Sequence, residues 1–159
     1  MKKVTIVGCG ALGSHVAQFL RNDAELKVID FDRVEQKNVL AQFHGKTAIG
    51  KNKAEALRQA MAFLFGTKLE AIPHKLVKNN IDALLKDADL IIDCLDNGEA
   101  RRLVQDYTRG IVDDGGKIVR VGNIAGIPTY GTERVVITDA GSRPACLHGA
   151  LAAGGDYGR

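Results

Sequence analysis

VTIVGCGALG, residues Val4 to Gly13, decides how the rest of the chain is read. Val4-Thr5-Ile6-Val7 is a β-branched run of the kind that forms a buried strand. Gly8-Cys9-Gly10-Ala11-Leu12-Gly13 follows at once as G-x-G-x-x-G. From Leu12 to Leu20, apolar residues at Leu12, Val16, Ala17, Phe19 and Leu20 fit a helix with one face turned to a sheet. A glycine loop between strand and helix has three separable jobs. Gly8 permits the tight exit from the strand, Gly10 lets backbone approach phosphate oxygens, and Gly13 lets the helix pack closely. The free amides and positive dipole end of the helix favour an anion, so the stretch is expected to hold a nucleotide, with a packing-only turn as the alternative.

Outward from there the composition is that of an ordinary globular chain. At 159 residues it fits one domain that can bury its own core. Eighteen glycines against three prolines fall mostly at element ends, which indicates tight turns rather than linkers. A net charge of +3, with dispersed Lys and Arg, argues against a nucleic-acid surface. Cys9, Cys94 and Cys146 are odd in number, far apart and without a C-x-x-C pair, as expected of reduced thiols in the cytoplasm rather than a zinc ribbon. The apolar run after Met1-Lys2-Lys3 is too short for a signal core or a membrane span.

Leu26 to Ile29 supplies a second strand, completing a strand, helix, strand unit with a right-handed parallel crossover. Residues 33 to 50 form a long polar connection of the kind that carries function when ordered. A helix is expected over Lys51 to Phe65, a third strand over Leu69 to Ile72 despite Pro73, and a helical turn over Ile81 to Leu85. Ala88 to Cys94 is a fourth strand, with a helix from Asn97 to Tyr107 after it. Lys117 to Val121 and Glu133 to Thr138 read as further strands. The pattern predicts an α/β doubly wound sheet, Rossmann-like, parallel at its centre with an antiparallel C-terminal extension. Residues 1–139 form the domain and residues 140–159 a Gly-rich tail.

Asp30 ends the second strand 17 residues after Gly13, where a carboxylate accepts hydrogen bonds from ribose hydroxyls; a loop cap is the competing reading. Asp32 stands two residues on. Adjacent carboxylates raise each other's pKa, so it needs another task, either at the ligand or in anchoring the loop by pairing with Arg33 or a lysine. Lys53 on a helix face is a solvated lysine by default, Asp96-Asn97 suits a helix cap, and Arg101 is either surface charge or a support for that loop. The histidines show no metal-ligand spacing, and of them only His15 lies near the glycine loop in sequence.

Five blocks in order then resemble one family. They are G-x-G-A-L-G-S (Gly8 to Ser14), D-F-D-x-V-E-x-x-N (Asp30 to Asn38), Gln42, G-K-x-K-A (Gly50 to Ala54) and D-x-x-D-N-x-x-x-R (Asp93 to Arg101). The chain is similar over residues 4 to about 137 to the adenylating domain of the ubiquitin-activating-enzyme-like superfamily, the ThiF/MoeB/HesA group. The resemblance implies MgATP bound on the glycine loop and adenylation of a carboxylate, commonly the C-terminal glycine of a ubiquitin-like or sulfur-carrier protein. Carried over by position, Gly8, Gly10, Ala11, Leu12, Gly13 and Leu95 would line the nucleotide, Asp30 would hold the ribose with Asp32 beside it, Asn38 and Gln42 would line the phosphate side, Lys53 would neutralise phosphate charge, and Asp96 would hold Mg²⁺.

Two departures qualify the match. Ala41 stands where the family pattern N-x-x-R-Q has an arginine, and the glycine loop begins at residue 8, leaving no room for the preceding helix whose arginine crosses a dimer. The expectation is therefore an adenylating enzyme, acting as a homodimer or with a heterodimeric partner that supplies arginines. The alternatives are a non-catalytic nucleotide-binding subunit and a small NAD-dependent oxidoreductase.

Overall fold

The computed structural model describes residues 1–113, with side chains through Thr108. Four parallel strands, β1 (Lys2–Val7), β2 (Ala24–Ile29), β3 (Leu69–Ile72) and β4 (Leu90–Asp93), make one sheet in the order β3-β2-β1-β4. β1 sits between β2 and β4, paired from Lys2↔Ala24 to Val7↔Ile29 on one side and from Val4↔Leu90 to Val7↔Asp93 on the other. Helices α1 (Ala11–Leu20), α2 (Lys53–Phe65), α3 (Ile81–Leu85) and α4 (Gly98–Asp113) connect and cover it. The parallel, doubly wound core expected from the alternation is present. The expected strands over 117–121 and 133–138, the antiparallel extension and the 140–159 tail lie outside the described residues.

The two-residue period of the strands sorts the core into two layers. Val4 and Ile6 of β1 with Leu26 and Val28 of β2 face one side, where Val16 and Ala17 of α1 and Leu57 and Met61 of α2 meet them. Val7, Ile29 and Ile91 face the other side, against Ile81 and Leu85 of α3 and Val104 of α4. Ile6, Leu57, Leu85 and Ile91 are fully buried, each contributing roughly 1.5–3 kcal/mol relative to exposure. Strands covered on both faces need no alternation with polar residues, which is why β1 and β4 read as apolar runs.

Some boundaries and faces differ from the sequence expectation. Phe19, placed on the sheet-facing stripe of α1, is 71% exposed, because Val16 and Leu20, one turn apart, define the buried stripe and Phe19 falls beside it. α2 starts at Lys53 rather than Lys51, because Asn52 is its N-cap and accepts from Glu55 N at 3.1 Å. Cys94 lies just beyond β4 and is half-buried rather than inside the strand. Among the described residues no helix is long and apolar enough to cross a membrane.

Candidate functional site

The chain leaves β1 for β2 on one side and later returns as β4 on the other, so the topology switches direction between the carboxyl ends of β1 and β4. Such switch points are where open α/β sheets bind ligands. Gly8, at φ +95°, turns the chain out of β1; a Cβ there would stand 2.9 Å from the Cys94 carbonyl oxygen. A Cβ on Gly13 would stand 1.8 Å from the Gly8 carbonyl oxygen, so the loop and the first turn of α1 touch backbone to backbone. Gly10 has open space, its nearest neighbour being Gln42 Nε2 at 3.8 Å from a hypothetical Cβ. Gly10 also begins α1 without a side-chain cap or any acidic residue in the first turn. The first helical bond runs from Ser14 N to Gly10 O, leaving the earlier amides for an anion.

Asp30 is locked against this loop. Its Oδ2 accepts from Cys9 N at 2.6 Å and its Oδ1 from Asp32 N at 2.8 Å. A carboxylate has about four acceptor positions, so both oxygens retain capacity for a ligand hydroxyl. Asp32 is more exposed, and its Oδ2 lies 3.9 Å from Lys53 Nζ. Partial burial, then the Asp30 charge, pushes its carboxyl above the usual range; Lys53 opposes this and Asp96 adds to it. Asp30, Asp32 and Asp96 therefore share one mouth. Lys53 itself is buried at the first position of α2, with its side chain only 11% exposed. A cation at a helix N-terminus works against the helix dipole, and a fold keeps such a conflict where an anion is to be received.

The 33–50 connection is ordered rather than slack. Val34 is buried, Val34 N donates to Lys51 O at 2.9 Å, Gly50 N donates to Val34 O at 2.8 Å, and Arg33 bridges to Asn52. Asn38 is buried and its Oδ1 accepts from Glu35 N at 2.7 Å, so its side-chain carbonyl shapes the turn. Gln42 reaches the glycine loop, and its Oε1 is a buried acceptor without a partner among the described residues. Asn52, missed in the sequence because it sits inside an expected helix, binds both carboxylate-bearing residues through backbone. Its Nδ2 donates to Asp30 O at 2.8 Å and to Asp32 O at 3.2 Å while its Oδ1 caps α2. Replacing Asn52 by Ala is expected to lower stability by about 2 kcal/mol, measured by urea denaturation, since it removes the cap and leaves a carbonyl unpaired.

On the other wall, Asp93 Oδ1 accepts from Leu95 N at 2.9 Å, and Arg101 Nε donates to the Leu95 carbonyl. Arg101 thus supports the loop, as the second of its two sequence readings had it. The cap of α4 is Asn97, whose Oδ1 accepts from Glu99 N and Ala100 N. Asp96 is exposed and makes no hydrogen bond or ion pair among the described residues. No group of three or more His, Cys, Asp or Glu capable of holding a metal occurs among the described residues. Magnesium beside a polyphosphate needs only one or two carboxylates, the remaining ligands being water and phosphate oxygens, so the donor set at this mouth fits it.

His15, the histidine nearest the glycine loop in sequence, bonds the Ala11 carbonyl of its own helix and meets the Phe43 ring edge-on. His44 is the one built into the site. It is buried, and its Nε2 lies 2.9 Å from the carbonyl oxygen of Cys9. No sequence signal ties the two, which are 35 residues apart.

Comparison with known proteins agrees with this fold. A model of the ThiF family matches residues 1–127. Over 108 residues the chain is 33% identical to the adenylyltransferase and sulfurtransferase UBA4 of Lodderomyces elongisporus, covering 65% of this chain and 24% of that protein. Over 114 residues it is 32% identical to the SAMP-activating enzyme E1 of Haloferax volcanii, covering 67% of this chain and 41% of that one. Among solved structures, E. coli tRNA N6-threonylcarbamoyladenosine dehydratase in complex with ATP superposes with a TM-score of 0.66 at 18% identity, over 82% of this chain and 54% of the other; that likeness speaks for the fold. The chain therefore spans only part of the length of these relatives.

Proposed function

The chain belongs to the ThiF family, and from that premise we propose that it binds ATP in the crevice between the β1 and β4 loops and adenylates a carboxylate. The substrate we favour is the C-terminal glycine of a ubiquitin-like or sulfur-carrier protein. The observation that carries the reading is that an uncapped helix N-terminus, the buried Lys53 and Asp96, unpartnered among the described residues, gather around Asp30 and Asp32 at the carboxyl edge of the sheet. Relatives named as adenylyltransferase and as SAMP-activating enzyme support it.

In this reading Asp30 takes the ribose hydroxyls. Gly8, Gly10, Ala11, Leu12, Gly13 and Leu95 line the nucleotide, and Gln42 and Asn38 bound the phosphate side. An oxygen of the substrate carboxylate bonds to the α-phosphorus as the bond from that phosphorus to the bridging oxygen breaks, giving an acyl adenylate and pyrophosphate. Lys53 places positive charge where negative charge develops, which is the main means by which proteins accelerate such transfers. Asp96 is the residue we assign to Mg²⁺, an ion that, when bound, supplies further neutralisation of the polyphosphate. Positions left without the family's arginine, notably Ala41, are completed by a second copy or another subunit.

Ala41 also favours a second reading, a nucleotide-binding subunit that does not itself react. Titration with ATP·Mg²⁺ and NAD(H), followed by pyrophosphate exchange with and without a carrier peptide ending in Gly-Gly, separates the cases. Exchange is expected. ATP binding without exchange supports the second reading, and preference for NAD(H) overturns both. Lys53→Met is expected to weaken ATP binding by about tenfold to a hundredfold, read by calorimetry, while leaving adenosine binding nearly unchanged.

A further inference from the structure

The glycine loop is held at Cys9 by two side chains distant in sequence. Asp30 Oδ2 accepts from Cys9 N at 2.6 Å, and His44 Nε2 lies 2.9 Å from Cys9 O. A carbonyl oxygen can only accept, so the proton of this hydrogen bond is on His44 Nε2. Burial pushes the imidazole below its usual pKa; the Cys9 bond works the other way and Lys53 adds to the lowering. The neutral ring then has one N–H, and it is spent on Cys9.

Peptide planarity carries the consequence across the bond. The described chain has no cis peptides, and in a trans peptide the C=O and the next N–H point in opposite directions. With the Cys9 carbonyl drawn back to a buried histidine, the Gly10 N–H must point away from it. Gly10 N finds no acceptor among the described residues, and a Cβ on Gly10 would meet Gln42 Nε2 at 3.8 Å and no backbone. Phe43, next to His44, donates from its backbone N to Ser14 Oγ at 2.9 Å, so the same strap also grips α1.

We infer that His44 is a positioning residue for phosphate binding: by donating from Nε2 to the Cys9 carbonyl, it sets the Cys9–Gly10 peptide so that the Gly10 amide faces the anion. This rests on the proposal that the crevice takes ATP. The ring is held there even though its Nδ1 is a buried acceptor with no partner among the described residues, a cost that core packing alone does not explain.

The test measures metal-free ATP and adenosine affinities by calorimetry for the wild type, His44→Leu and His44→Gln. Leu keeps the bulk and removes the donor; Gln returns an N–H at comparable reach. His44→Leu is expected to weaken ATP about tenfold and adenosine less than twofold, and His44→Gln to recover most of the loss. Equal losses for both ligands, or none for ATP, overturn the inference while leaving the ATP reading intact. A wild-type chain that binds neither ligand overturns both. Should His44→Leu fail to fold, the wild-type imidazole ¹⁵N spectrum and the Gly10 amide resonance decide. A protonated Nε2 with a Gly10 shift on adding ATP supports the inference, and an unprotonated Nε2 or an unmoved Gly10 amide overturns it.

Discussion

Replacing Asp96 by Asn is expected to lower pyrophosphate exchange by about a thousandfold while changing metal-free ATP affinity by less than about twofold. The asymmetry follows from the position of the side chain. Asp96 is exposed, Asn97 rather than Asp96 caps α4, and Asp93 and Arg101 hold the loop without it. The substitution therefore removes a charge and spares the scaffold. Without metal, losing a carboxylate near a polyphosphate even relieves some repulsion, so binding does not suffer. Equal loss of exchange and of metal-free binding would contradict the assignment of Asp96 to the metal.

Replacing Gly13 by Ala is the most damaging single change expected for the fold. The new methyl would lie 1.8 Å from the Gly8 carbonyl oxygen and 3.2 Å from Cys94 Cβ, and the first of these is backbone that cannot swing aside. Relief requires separating α1 from β1, and with it part of the layer that contains Val16 and Ala17. A loss of about 4 kcal/mol or more, read as a lowered urea midpoint, is expected. Gly10→Ala is the control, because its methyl meets only Gln42 Nε2 at 3.8 Å. It should fold with near-native stability, and an equally unstable Gly10→Ala would remove the steric explanation.

The legible part of the molecule is the part built from short-range pattern. β1, the glycine loop and α1 are adjacent in sequence, and β-branched run, glycines and helical period mark them without tertiary help. β3 was legible in spite of Pro73, because the proline falls one residue past Ile72 and removes no ladder hydrogen bond. Order within the sheet is different, since β1 meets β4 across more than 80 residues and only packing decides that pairing. The site divides in the same way. Asp30 directly follows β2 and Asp96 lies three residues past β4, positions that the strand pattern alone marks. Asn52 was hidden inside a helical stretch, and its value comes from two carbonyls 22 and 20 residues away. His44 sits in a polar connection with no period, and its role exists only once that connection folds back on Cys9.

The Arg33–Asn52 bridge, with the Val34–Lys51 and Gly50–Val34 hydrogen bonds, pinches the connection from β2 to α2 at its neck. Tension applied at the exposed tip, Gly45 to Thr47, passes through the adjacent His44 to the Cys9 carbonyl, while the pinch shields the start of α2 from it. The tip is thus mechanically coupled to the Cys9–Gly10 peptide rather than to the helix that carries Lys53.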